Sequence, residues 1–466
     1  MSQLKLRTPW ALLALMTCGS AFGQATITIN NTDGAGEGFN DPTPVAPIGG
    51  NTGTTLGEQR LIAFQRAADI WETFLDSDVE IVVNAAFNPL TCSQNGAVLG
   101  SAGAASVHAD FANAPVADTW YNPSLASSLA GVDVNGAQAE INSQFNSELD
   151  NGCLNSGWYY GLDGATPQGF TAFLPVLLHE MGHGLGFQTF TSGTTGAFFS
   201  GRPDIWTLFM RDLSTGEQWV DMDNAERVAS AINDPNLVWT GPNVTAEFPN
   251  VLGNPAVLTI NSPGGIAGDY AVQTASFGPA IPEMGLTADV VLADDGTGGD
   301  VNDACEPIIN DLTGAIAIVN RGSCNFTLKV INSQNAGAVA VLVANNVSPG
   351  LPPMGGSDPA VTIPSVGISL DDGALITGNL PGVNVTLGYD TGQFAGANGG
   401  FVRLYAPNPF EQGSSVSHFT RDANPNLLME PSITPTIFDE IDLTLQLFQD
   451  IGWNTVEDLI FADDFE

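Results

Sequence analysis

The sequence predicts an α+β protein: one domain formed by residues 24–250 and 393–466, interrupted by a β-rich α/β module over 251–392, behind a leader of residues 1–23. Three observations carry this. Strand-like and helix-like patterns mix in the first half. Between about Pro255 and Asp390 the texture changes to short strands punctuated by Gly, Pro and Asp. From Phe401 the chain returns to polar loops and one clear helix. A length of 466 residues leaves room for two or three domains.

The leader, "MSQLKLRTPWALLALMTCGSAFGQA", has Lys5 and Arg7, an apolar run from Trp10 to Met16 and then small residues, the layout of a signal peptide cleaved after Gly23 or Ala25. The run is too short for a membrane anchor, and Thr17 before Cys18 fits a lipoprotein signal poorly; no later stretch is apolar for long enough to span a bilayer. Next, "ATITINN" reads as a strand and "LGEQRLIAFQRAADIWETFL" as an amphipathic helix with Leu61, Phe64, Ala68 and Trp71 on one side. "DVEIVVNAAF" is a second strand, followed by a weakly patterned Gly/Ala/Ser/Asn stretch in which "AEINSQFNSEL" is a further strand candidate. A helix containing "FLPVLLHEMGHGLGF" starts near Phe173, because Pro175 is tolerated only in a first turn. "RPDIWTLFMRD" and "DNAERVASAI" suggest a helical segment ending near Pro235. In the inserted module, "AIAIVNRGSCNFTLKVINSQNAGAVAVLVANN" reads strand, turn, helix, strand, a βαβ unit. The final helix is "DLTLQLFQDIGW", with Leu445 and Phe448 in its stripe and Gly452 as C-cap.

Export leaves Cys92, Cys153, Cys305 and Cys324, an even number for an oxidising compartment, extracellular or periplasmic. Sequence allows three connectivities, and placement in separate domains favours Cys92 with Cys153 and Cys305 with Cys324. The formal net charge of −39 argues against nucleic acid or anionic membrane as a partner, since both are polyanions. Lys5 and Lys329 are the only lysines, so the acidity reads first as a solubility device.

Chemistry concentrates in "HEMGHGLGFQTF", His179 to Phe190. Residues four apart on a helix project the same way, so both imidazoles of HExxH reach one ion. Glu180 then stands beside the metal without binding it, placed to take a proton from a water and hand it to a leaving amine. A catalytic zinc normally takes a third protein ligand. In the contiguous pattern beginning HExxHxxG it is a histidine three residues after the glycine, but here that position is Thr189. Two histidines remain. His108 lies in "SVHADF", which has no other site character; His418 lies in "GSSVSHFTRDANPNLLMEP", where Met429, Glu430 and Pro431 follow.

These pieces resemble the metzincins, zinc endopeptidases whose last histidine is followed by a tight turn carrying a methionine. The closest likeness is to leishmanolysin-type metzincins, in which an inserted domain separates the third histidine from HExxHxxGF. The matching pieces are "HEMGHGLGF", "SHFTRDANPNLLMEP" and "LTLQLFQDIGW", under a fifth of the chain. The resemblance implies a metzincin-like two-lobed catalytic domain, Zn2+ held by His179, His183 and His418, Glu180 as general base, and Met429 in the turn beneath the metal. The physics permits a displaced ligand. Gly184 and Gly186 let the helix end after His183, and the cost of closing a loop of 235 positions grows only with the logarithm of its length. A rival His, His, Glu set would recruit Glu226 from "DNAERVAS", but it leaves His418 and "LMEP" unexplained. The chain departs from the metzincin pattern at Thr189 and in having no tyrosine after Met429.

Most of Pro255 to Asp390 resembles a protease-associated (PA) domain, above all "RGSCNFTLKVINSQNAGAVAVLVANN" followed by "IPSVGIS". That resemblance implies substrate binding or restricted access, and no catalytic residue. Within the module Phe326, Val330 and Ile331 would bury one helix face, and the acidic run Asp294, Asp295, Asp300 and Asp303 offers oxygen ligands for Ca2+, although such a run is more often a solvated loop. The leading expectation is a secreted zinc endopeptidase acting on protein or peptide substrates. Two alternatives stay open: an exported binding or adhesion protein with a silent metal site, and a PA-containing aminopeptidase, which needs a second metal cluster that the remaining histidines hardly supply.

Overall fold

A computed structural model describes residues 24–94, 96–434 and 437–456; the expected leader lies outside them. The architecture is mixed α+β, in two compact units. The first comprises the chain up to Phe248, Phe401–Arg421 and the residues from Asn426; the second comprises Pro249–Gly400 and Asp422–Pro425.

In the first unit, β1 (Ile27–Asn31), α1 (Leu56–Phe74), β2 (Ile81–Asn88), β3 (Gly100–Ala104), α2 (Pro123–Ala130), β4 (Ile141–Asn146) and α3 (Phe173–Leu185) follow in order. The sheet runs β1-β2-β4-β3, with β1, β2 and β4 parallel and β3 antiparallel at the edge. Ile81, Val83, Ala85 and Phe87 alternate inward along β2, as a period of two requires. A Thr55/Glu58 capping box starts α1. Its apolar stripe buries Phe64, Ala68 and Trp71 completely and leaves Leu61 half-buried. The Trp71 indole N–H donates to the Leu178 carbonyl at 3.2 Å, tying α1 to α3.

Helix α3 begins at Phe173, with Pro175 in its first turn. Its apolar residues Leu174, Val176, Leu177, Leu178, Met181 and Leu185 are buried, while His179, Glu180 and His183 line a cleft. A Cβ on Gly184 would lie 2.5 Å from Ile141 of β4, so only glycine permits this approach. The helix stops where Gly186 takes φ 135°, and the N–H groups of Gly186 and Phe187 both return to the Gly182 carbonyl.

One expectation fails here. "RPDIWTLFMRD" is not helical beyond a single turn at Thr207–Phe209; it continues as the strand Met210–Asp212, paired antiparallel with Leu237–Trp239. Asp204 explains the break, since its carboxylate captures the N–H and hydroxyl of Thr207 and fixes a turn that buries Trp206 and Met210. "DNAERVASAI" does form a helix, Asn224–Ser230, capped by Asp223 and Glu226. The last helix, Leu443–Ile451, ends at a left-handed Gly452, and the Trp453 indole donates to the Leu185 carbonyl. Cys92 is bonded to Cys153.

The second unit is an eight-stranded sheet in the order Gly268–Ala271, Ala256–Ser262, Asn384–Tyr389, Leu286–Leu292, Ile316–Asn320, Ala340–Ala344, Ser365–Ile368, Gln273–Thr274. The four strands from Leu286–Leu292 to Ser365–Ile368 are parallel, and the others are antiparallel to their neighbours. The expected βαβ unit is Ile316–Asn320, the helix Phe326–Asn335 and Ala340–Ala344. Both faces carry a core, so the central strands read as unbroken apolar runs. Val330 is fully buried, with Phe326 and Ile331 packed beside it, and Cys305 is bonded to Cys324. Among the described residues, no helix is long and apolar enough to cross a membrane.

Candidate active site

The first unit brings three imidazoles together. Helix α3 presents His179 and His183 one turn apart, and the segment after the strand Phe401–Arg403 presents His418. Their Nε2 atoms form a triangle with sides of 3.2 Å (His179 to His183), 3.1 Å (His183 to His418) and 3.2 Å (His179 to His418). Each ring is held from behind by a backbone carbonyl on Nδ1: Leu428 for His179 at 2.8 Å, Phe187 for His183 at 2.7 Å and Ser414 for His418 at 2.8 Å. A carbonyl only accepts, so each Nδ1 carries the proton and each Nε2 directs a lone pair into the triangle. Burial drives all three imidazoles toward the neutral form, with His179 lowered to about 3, His183 to about 4 and His418 well below the ordinary value; neighbouring imidazoles add to the effect at His179 and His418.

Three converging lone pairs repel one another unless a cation stands between them. The triangle is the size that Zn–N bonds of about 2.0–2.1 Å span, and backbone acceptors on the outer nitrogens are the usual support for histidine ligands. The donor set therefore fits a zinc ion with an open fourth position.

Glu180 is 8% exposed and lies beside the triangle in the wall of the same cleft. Burial raises its carboxyl to about 8, and a hydrogen bond from the Ala102 N–H of β3 works in the opposite direction. The cleft has a volume of about 710 Å³; residues 97–102, Gln188, Thr189, Gln412 and Pro431 contribute to its lining. Met429 is fully buried, and a Cβ added to Gly182 would lie 2.7 Å from its Sδ, so the methionine packs directly under the middle of HExxH.

The other candidates sit elsewhere. His108 pairs with Ser106 at 2.9 Å, outside the triad. The Glu226 carboxylate accepts the Asp223 N–H at 2.7 Å as a helix cap, which removes the rival His, His, Glu set. Of the acidic run, Asp294 and Asp300 turn to local donors, the Gly296 N–H for the first and Asn302 and Asn320 for the second. Asp295 and Asp303 gather instead with Glu306, which the sequence reading did not include.

Sequence reasoning missed two supports of the site. Asp204, 1% exposed, accepts six hydrogen bonds: from the Thr189 and Thr191 hydroxyls and the N–H groups of Phe190 and Thr191 on Oδ2, and from the N–H and hydroxyl of Thr207 on Oδ1. Thr189, standing where a contiguous motif would carry histidine, thus fastens the chain leaving α3. The second is Asp442, whose carboxylate accepts from the Leu428 N–H and from Thr444, next to the carbonyl that orients His179.

Residues 286–376 match the PA domain family, so the second unit contains a PA domain. The chain is 50% identical over 44 residues to Signal peptide peptidase-like 2 of Arabidopsis thaliana, covering 9% of this chain and 8% of that one. It is 46% identical over 66 residues to probable leucine aminopeptidase 2 of Aspergillus fumigatus, covering 14% and 13%. Among solved structures it is similar to BSAP, a zinc aminopeptidase from Bacillus subtilis, with 28% identity over 32% of this chain and 37% of that one and a TM-score of 0.23. These relatives are peptidases by name, and the chain spans less than a fifth of the length of either curated relative.

Proposed function

We propose that the protein is an exported zinc endopeptidase of the metzincin type, leishmanolysin-like, with the PA domain inserted between its second and third ligands. The observation that carries this reading is the convergence of His418 Nε2 on those of His179 and His183, across 235 positions of sequence. Met429 beneath Gly182 supports the same class. Two disulfides suit an oxidising compartment.

When bound, zinc supplies Lewis acidity, polarising the scissile carbonyl and making a water acidic near neutral pH. With a cation in the triad offsetting the burial that raises its carboxyl to about 8, and the Ala102 N–H donating to it, Glu180 would take a proton from a water and return it to the leaving amine. The Ala102 N–H holds its carboxylate while the imidazoles stay neutral in their buried, carbonyl-anchored tautomer. Strand β3 is an edge strand whose outer side lines the cleft, so an extended peptide docks there by adding a strand. That mode seats the middle of a chain rather than a free amino terminus.

The aminopeptidase names among the relatives favour a second reading. Against it, the described residues gather no further metal-binding group beside the triad; the other cluster, Asp295, Asp303 and Glu306, lies in the second unit. Zinc analysis with casein digestion, on the wild type and Glu180→Gln, tests the proposal. The expected result is one zinc in both proteins, internal cleavage by the wild type, and a rate about 10²–10⁴-fold lower in the variant. Zinc without digestion of unfolded protein transfers the case to a binding protein, and cleavage restricted to substrates with a free amino terminus transfers it to an aminopeptidase.

A further inference from the structure

We propose that Asp295, Asp303 and Glu306 of the second unit form a binding site for a divalent cation of calcium size, separate from the histidine triad. One carboxylate oxygen from each of the three lies within 4.8 Å of those of the other two. An ion with metal–oxygen bonds of about 2.3–2.6 Å bridges such separations, whereas magnesium draws its ligands closer together.

Proximity of acidic groups alone would say little. The second observation is the state of Asp295, which is 2% exposed and whose Oδ2 is buried without a hydrogen-bond partner. Its other oxygen accepts only a long bond from the Thr297 N–H, at 3.3 Å. A buried carboxylate oxygen with no donor is costly, and in folded proteins it is normally paired or bound to a metal.

The surroundings do not supply the missing partner. Asp303, 4% exposed, accepts the Cys305 N–H at 3.0 Å, and Glu306 reaches back toward the turn at Gly298. Among the described residues the cation beside the cluster is Lys329, itself fully buried. Its ammonium donates to the Asp303 main-chain carbonyl at 2.5 Å and to Cys305 Sγ at 3.3 Å. Asp295 and Asp303 are buried and Glu306 is more exposed, and the three carboxylates beside one ammonium leave an excess of negative charge that a divalent ion offsets. Asp300, the remaining acidic neighbour, is already satisfied by Asn302 and Asn320. The Cys305–Cys324 bond fixes the segment between Asp303 and Glu306, so two of the ligands sit on a braced stretch.

Calorimetric titration of calcium chloride into the full-length, chelator-treated protein tests this, with the wild type compared to Asp295→Asn and Glu306→Gln. The expected result is one calcium per chain in the wild type and at least a tenfold loss of affinity in each variant. A melting transition should rise by about 5–10 °C at calcium a hundredfold above its Kd in the wild type. In chelator the order inverts: each variant, relieved of one repelling charge, melts at or above the wild type. Glu306→Gln, at the more exposed side of the cluster, decides the matter should Asp295→Asn fail to fold. Absence of calcium binding by the wild type, or equal binding by wild type and Glu306→Gln, overturns the proposal.

Discussion

Replacing Asp204 by asparagine exchanges one carboxylate oxygen for an NH2 group, and no orientation of the amide suits the site. With the NH2 on the Oδ2 side it faces two fixed backbone donors, the N–H groups of Phe190 at 2.7 Å and Thr191 at 3.0 Å. With the NH2 on the Oδ1 side it faces the Thr207 N–H, also at 2.7 Å. The second choice is better, since the Thr207 hydroxyl can rotate to accept, yet it strands one buried N–H and removes the charge from the remaining bonds. A stranded donor costs about 1–3 kcal/mol, and each bond loses part of the roughly 1.5–3 kcal/mol of a charged acceptor. The expected destabilisation is about 2–4 kcal/mol, nearly that of Asp204→Ala at about 3–5 kcal/mol. Urea unfolding at pH 7 followed by tryptophan fluorescence isolates this unit, because the seven tryptophans among the described residues all lie outside Pro249–Gly400. A loss below about 0.5 kcal/mol for Asp204→Asn would show that the six bonds do not hold the loop as argued.

Asp442 predicts a pH effect: burial, opposed by donors from Leu428 and Thr444, raises its carboxyl from 3.8 to about 7. The fold thus favours the protonated acid, and this contribution is fully present below 3.8, declines as pH rises and is exhausted above about 7. Relative to Asp442→Asn, which does not titrate, wild-type stability should fall by something on the order of 4 kcal/mol between pH 4 and 8; a constant difference in urea midpoints across that range would contradict the reasoning. Gly182→Ala should push the Met429 sulfur out of its seat, lowering stability by about 1–3 kcal/mol and weakening zinc retention during dialysis; unchanged values for both would mean that the methionine yields freely. Glu180→Gln, by contrast, is expected to keep its zinc while losing cleavage.

Elements with strong local signals were legible in the sequence. The stripe of α1, Pro175 at the start of α3 and the glycines that end it each carry their reason within a few residues. His418 and Met429 were legible for another reason: few histidines remain to choose from, and the turn after His418 has a recognisable pattern. Strand β3, "GSAGA", was not legible, since small residues have little strand preference of their own. Its composition answers instead to crowding, because a Cβ on Gly100 would lie 2.9 Å from the Phe145 ring and 3.2 Å from Glu180 Cγ. "RPDIWTLFMRD" misleads because Ile205, Trp206 and Met210 have spacing compatible with a helix, while the deciding contact is the grip of Asp204 on Thr207, which no periodicity reports. The acidic run misleads similarly: neighbours in sequence, Asp294 and Asp300, serve turns, and the more distant Glu306 joins the cluster.

A ribosome makes His179 and His183 long before it makes His418, and the whole PA segment must be polymerised in between. On the proposed reading, a nascent or prematurely terminated chain carries two imidazoles and no finished centre. Hydrolytic competence on that reading waits for the segment that carries His418 and Met429.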